Sequence, residues 1–175
     1  VAHIVFRQHQ KRPAVPDSNG RFWSRTIAAG CLSGMTVAGA AAWRAQIEGQ
    51  SGWGPINAIS HIVWGPQAAA QQRFTAKYTD SGLLLNALAS GFWRWLYGVM
   101  GRYSAAPNSY SRSAGRGIVV AAVASITDYY LVPRRFTPGF ELSLTRRSCP
   151  WLYGALAVGL VLPDCLVPLK SRSRS

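Results

Sequence analysis

An all-α fold, a four-helix transmembrane bundle with a short interfacial or re-entrant helix between its first two spans, is what three observations in this 175-residue sequence predict. Four stretches, Thr26–Trp43, Gly82–Gly101, Gly117–Val132 and Ser148–Pro168, are mostly apolar and nearly free of charge. A helix rises about 1.5 Å per residue and the hydrocarbon layer of a bilayer is roughly 30 Å thick, so stretches of this length suffice to cross it. The basic residues lie almost wholly between and beyond these stretches, and small residues recur along them at helical spacing. Mean hydropathy is only +0.05 because the four stretches cover less than half of the chain.

Residues 1–25 carry Arg7, Lys11, Arg12, Arg21 and Arg25 around Pro13 and Pro16, and read as a flexible basic cytoplasmic tail. The first apolar stretch follows. It also fits the core of a cleavable signal peptide, with small residues at Ala38–Ala42, but the long region before it argues against that reading; cleavage would leave three spans. Gly30, Gly34, Ala38 and Ala42 form a ladder on one face, a surface for close helix contact, because apolar side chains gain little in lipid by hiding from one another.

Between Arg44 and Ser81, Trp53, Ile56, Ile59, Ile62, Val63 and Trp64 fall largely on one side of a helix too short to cross. Such a segment lies in the headgroup layer or folds back against the bundle. The third stretch repeats the small-residue ladder at Gly117, Ala121 and Ser125, and the fourth has a shorter version at Ala155 and Gly159. These ladders suit a compact bundle or a dimer equally. Residues 26–168 thus form one transmembrane helical domain, and residues 169–175 a second basic cytoplasmic tail.

Orientation follows from the retention of Lys and Arg on the cytoplasmic side. With the amino terminus inside, that side holds the five tail residues, Arg102, Arg112, Arg116, Lys170, Arg172 and Arg174, against Arg44, Arg73, Lys77, Arg134, Arg135, Arg146 and Arg147 outside. The bias puts both termini in the cytoplasm. The net charge of +13 then faces anionic lipid headgroups. A nucleic-acid footprint is the alternative, that of a soluble basic binding protein, but the charges flank apolar runs instead of interleaving with aromatic platforms.

Three charged residues stand inside the spans. Arg94, in the second, costs on the order of 3 kcal/mol on insertion scales unless it is paired or reaches water. It is about 10 Å from the cytoplasmic end of its helix and Asp164 about 6 Å from the same boundary, whereas Asp128 lies near the far end of the third span. Depth therefore favours an Arg94–Asp164 pair; the alternative is an Arg94 that snorkels to the headgroups along Trp93 and Trp95. Asp128 shares a face with Ala121, Ala124 and Ser125 and points at the bundle, either as a functional acid or as an interfacial one bonded to Arg134, Arg135 or a loop. Asn57 and His61 are the notable polar residues of the short helix. One histidine without nearby carboxylates or thiols is a poor metal ligand, and no metal or other cofactor is expected. Cys31, Cys149 and Cys165 show no zinc or disulfide pattern and read as buried reduced thiols. Nucleophile elbow, P-loop, HExxH and dinucleotide fingerprint are all missing, which argues against an enzyme.

The segments PINAISHIVWG (Pro55–Gly65) and DYYLVPRRFTPGFE (Asp128–Glu141) resemble a family of short uncharacterised bacterial inner-membrane proteins with four predicted helices. The resemblance covers residues 26–162 and places Asn57, Ser60, His61, Trp64, Asp128, Pro133, Pro138, Gly139 and Glu141 on motif positions. It implies an integral inner-membrane protein. The chain departs from the family at Lys77–Thr79, at Leu85-Asn86 and at Gly98, where histidines or an acid are common, so no cofactor is carried over. The expected role is a non-catalytic structural or accessory one, with membrane lipids, other membrane proteins or a second copy as partners. The alternative is a small oligomeric transporter or channel using Asp128, Arg94 and Asp164.

Overall fold

The computed structural model describes residues 18–104 and 109–166. These form six α-helices, with single 3-10 and π turns in the longer connections before α4 and before α6, and no strand among the described residues. The expected tails at 1–17 and 169–175 lie outside them.

Helix α1 (Ser18–Ile47) starts eight residues before the predicted span. Residues 18–25, expected to belong to a flexible tail, are helical. Hydropathy marks where apolar surface ends, not where the hydrogen-bond ladder ends, and no proline falls between Pro16 and Pro55 to interrupt the helix. At its other end Gly49 takes φ +73°, and the amides of Gly49 and Gln50 donate to the carbonyls of Gln46 and Ala45. That is the Schellman closure a left-handed glycine permits.

The short helix is two, α2 (Trp53–Ile59) and α3 (His61–Trp64), broken at Ser60. Every residue of α2 after Trp53 is buried, and it packs on α1 and on α4 (Ser81–Arg102). Of the two expected placements, the one folded back against the bundle is formed. Helix α5 (Tyr110–Ile126) opens with Ser109, whose hydroxyl accepts from the Arg112 amide, and runs on through a wide turn at Thr127–Leu131. Helix α6 (Cys149–Leu166) carries Pro163 inside it.

The four long helices run up and down in sequence. A Cβ built on Gly30 of α1 would lie 2.7 Å from the Gly91 Cα of α4, and Asn86 of α4 donates to the Gly34 carbonyl at 2.7 Å. On another face of α1 the Thr36 hydroxyl donates to the Ala155 carbonyl of α6 at 3.1 Å, and Gly159 lies against Ser33. Gly117 of α5 lies against Ala157 and Val161 of α6. The small-residue ladders are thus contact faces within one chain. Ala38 and Ala121 are buried, whereas Ser125 is half-buried and bonds back to Ala122 of its own helix. Val37, Ala41, Trp93, Val120, Leu156 and Leu160 form the core between them.

Two helical segments, Trp23–Ile47 and Arg146–Leu166, are long and apolar enough to cross a membrane. The expected four spans are narrowed to two by that measure. Asn86, Ser90 and Arg94 dilute α4, and α5 opens on Ser111–Ser113 with Arg116 one turn later. The buried positions among these, Asn86, Ser90 and Ser113, turn inward.

Candidate functional site

Two polar groupings lie at opposite ends of the bundle. At the end where α1 begins and α6 ends, the Asp164 carboxylate of α6 gathers side chains from two other helices. Arg94 of α4 donates to its Oδ1 at 3.2 Å and to the Leu160 carbonyl at 2.8 Å. The Tyr97 hydroxyl, one turn further along α4, donates to Oδ2 at 2.5 Å. Ser113 and Arg116 of α5 reach the same oxygen at 3.3 and 3.9 Å. The Tyr97 ring contacts both guanidinium groups, whose carbons are 4.7 and 4.4 Å from its centre. Pro163 has no N–H to continue the helical ladder, and the Leu160 carbonyl beside that interruption is the one Arg94 bonds. The grouping holds two cations and one anion, with side chains 12–22% exposed.

The Arg94–Asp164 pair expected from depth is formed, and Arg94 does not snorkel. Arg116 was not visible as a member. Counted from sequence among the charges of the α4–α5 connection, it sits inside α5, three residues past Ser113, because the helix begins well before the apolar stretch does. The one signal for Tyr97 was its spacing of three from Arg94, which puts both on one helix face.

At the opposite end Asp128, in the wide turn after α5, accepts from the Tyr153 hydroxyl of α6 at 2.8 Å. Its expected alternatives, Arg134 and Arg135, form no ion pair with it among the described residues. Tyr129 donates to Glu141 at 3.4 Å, tying the 132–148 connection to the turn after α5, and Thr137 donates to the same carboxylate at 2.7 Å from within the connection. Between α4 and α6, above Val37 of α1, lies a cavity of about 300 Å³. Its wall is apolar and aromatic apart from Asn86, Ser90, Asp128 and the Tyr153 hydroxyl.

Asn57 and His61 hold backbone. The Asn57 amide donates to the carbonyls of Gln71 and Arg73 at 3.0 and 2.9 Å and accepts from Thr79 at 2.7 Å. The Nδ1 of His61 bonds the Ala58 carbonyl at 2.8 Å. Gly139, at φ +79°, lies against both the Ala58 carbonyl and the His61 ring, so a side chain there is excluded by space and by backbone conformation. The segments Pro55–Gly65 and Asp128–Glu141 therefore meet in space.

A fourth tie joins α1 to α6. Glu48 accepts from the Thr145 amide and hydroxyl at 2.9 Å each and from Ser148, with Arg44 beside it at 3.6 Å. Burial pushes the Glu48 carboxyl up, but the bonds from Ser148 and Thr145 and the Arg44 charge outweigh it, and the group lies below the ordinary glutamate value.

Cys31 and Cys165 are exposed and Cys149 half-buried, against the expectation of buried thiols; an apolar stretch in this fold has an outward face as apolar as its core. Among the described residues no group of three or more His, Cys, Asp or Glu is placed to hold a metal. Compared with protein-family models, curated proteins and solved structures, the chain matches none.

Proposed function

We propose that the chain is an integral membrane protein with four spans, both termini in the cytoplasm, acting without catalysis as a structural or accessory component of a bacterial inner membrane. The carrying observation is the spacing of exposed aromatic residues. Trp23 and Trp43 on α1, and Tyr110 and Tyr130 along α5 and its final turn, are each twenty positions apart and all exposed. Twenty residues of helix measure about 30 Å, the depth of the hydrocarbon layer, and Trp and Tyr favour its two boundaries. Between them, exposed Ile27, Met35, Leu88, Phe92, Ile118, Val123 and Val158 face outward, while Asn86, Ser90 and Arg94 of α4 and Ser113 and Arg116 of α5 are buried or half-buried. Trp43 packs edge-on against Trp151 of α6, 6.4 Å between centres, at the same level.

The accessory role rests on what the polar residues do. The bonds of Asp164, Glu48, Asn57 and Glu141 tie one segment of the chain to another. The inner-membrane location rests on the family resemblance of the two motif segments and on the bias of basic residues. A transporter or channel is the second reading, favoured by one observation, the presence of Asp128 on the wall of a cavity.

Carbonate extraction of membranes carrying the full chain should leave it in the pellet, and reporters fused to each terminus should read as cytoplasmic. Release into the supernatant as a monodisperse protein would overturn the four-span reading. For the second reading, proteoliposome flux that survives Asp128→Asn would count against it.

A further inference from the structure

Among the described residues, Asp128 is the one charged side chain lining the cavity between α4 and α6. Its Oδ2 accepts from Tyr153, and among the described residues no Lys or Arg lies within ion-pair distance of it. In a chain with net charge +13 this carboxylate is set apart from the cations, while the other intramembrane acid, Asp164, is surrounded by them.

The remaining wall is built for an apolar body. Trp93, Phe136, Phe140 and Tyr153 supply aromatic surface, and Val37 and Leu156 aliphatic surface. Helices α4 and α6 both pack on α1 but touch each other little, which leaves the gap. Two of the lining residues, Leu88 and Phe136, are 62% and 55% exposed, so the cavity opens on the side of the bundle from mid-helix toward the end that carries α2 and α3. Its volume stands at the low end of the roughly 300–1,000 Å³ usual for small-molecule sites.

The chemistry of the wall selects among occupants. A neutral apolar molecule would fill the space and strip water from the carboxylate without replacing it, an unfavourable exchange. An anion would meet a like charge. A hard divalent cation, Ca2+ or Mg2+, takes six or more oxygen ligands and finds one carboxylate, with the side-chain oxygens of Tyr153, Ser90 and Asn86 besides, in a wall otherwise apolar. A quaternary ammonium is weakly hydrated, is drawn to aromatic faces as well as to a carboxylate, and brings the apolar body that the walls accept.

We propose that this cavity binds a lipophilic organic cation of the alkyl- or arylammonium class, entering from the side of the bundle and placing its positive centre against Asp128. The inference rests on the four-span reading for the route of entry, since the mouth then faces lipid.

The test uses the full chain in nanodiscs of zwitterionic lipid, with radiolabelled benzyltrimethylammonium as the probe. Saturable binding is expected. The carbon isostere neopentylbenzene, identical in shape but uncharged, should compete at least tenfold more weakly. Asp128→Asn should weaken binding at least tenfold, and Leu156→Trp, which fills the cavity and leaves the carboxylate, should abolish it, while Val158→Ala on the outer face should change nothing. The isostere comparison is made on the unaltered protein and stands whether or not a variant folds. Absence of saturable binding, equal competition by the isostere, or full binding by a folded Asp128→Asn would each overturn the proposal. Where carbonate extraction retains the chain and binding fails, this inference alone falls. If extraction releases the chain, the four-span reading falls, and the same isostere comparison in plain buffer decides the occupant.

Discussion

Replacing Asp164 by asparagine keeps the shape of the side chain and removes the one anion that faces Arg94 and Arg116. Four side chains from α4 and α5 converge on this carboxylate, at distances from 2.5 to 3.9 Å. Breaking a buried ion pair by removing one partner costs about 3–5 kcal/mol, because the charge left behind has lost its compensation. The side chains here are 12–22% exposed, which admits some screening and places the expected loss near the lower figure, about 3 kcal/mol. Two cations remain against the Tyr97 ring after the change, so removing one of them should recover part of the loss. The pair Asp164→Asn and Arg94→Met should show a coupling of about 1–3 kcal/mol, as expected for residues in direct contact. Reversible unfolding in mixed detergent micelles, read by tryptophan fluorescence for the parent, both single variants and the double, supplies the four corners of the cycle. A single Asp164→Asn variant within 1 kcal/mol of the parent, or additive losses in the double, would refute the assignment of this carboxylate as the tie among α4, α5 and α6.

The same substitution at two glycines of α1 should act with opposite sign. Gly30→Ala forces α1 from Gly91 and should destabilise by about 1–3 kcal/mol, whereas Gly39→Ala, with nothing within 4 Å, should be neutral or stabilise by up to about 1 kcal/mol; unfolding in detergent reads both. Asn57→Ala removes three hydrogen bonds from the 66–80 connection and should cost at least about 2 kcal/mol, with hydrogen exchange rising in that segment and not in α5. Glu48 lies below its unfolded value, so its contribution is present above the ordinary glutamate pKa and is lost as pH falls through the folded one. Acid should therefore loosen the junction of α1 and α6 below about pH 4.5, the unfolded value, and Glu48→Gln should remove that part of the pH dependence.

The helices were legible because lipid-length apolar runs and helical spacing are local properties of a sequence. The Arg94–Asp164 pair was legible for a related reason: the rise per residue turns a position in a helix into a depth, and depth alone separates Asp164 from Asp128 as partners. Arg116 was not, since a charge in the polar first turns of a long helix has the same sequence appearance as one in a connection. The break at Ser60 and the start of α1 at Ser18 were missed for the same reason, hydropathy being silent on backbone hydrogen bonding. The cavity had no local signal at all. It arises where two helices that are not neighbours in the chain diverge over a third.

The placement of the ties gives that divergence a cause. Among the described residues, the direct bonds between α4 and α6 are those of Arg94 and Tyr97 to Leu160 and Asp164, all at one end of the bundle. Toward the other end α1 holds α4 through Gly34 and α6 through Thr36, on different faces, so the two helices are spaced by the width of α1 and not drawn together. The segment carrying Phe136 and Phe140 covers that end, and it is fastened by the Tyr129–Glu141 bond to the turn that also presents Asp128. The residue that charges the cavity and the segment that closes it are thus parts of one local structure. Removing the Tyr129–Glu141 bond, by Tyr129→Phe, should widen access to the cavity without touching its wall chemistry, since Tyr129 is not among the lining residues, raising the on-rate for an ammonium probe and its off-rate together while leaving the tenfold preference over the neutral isostere in place.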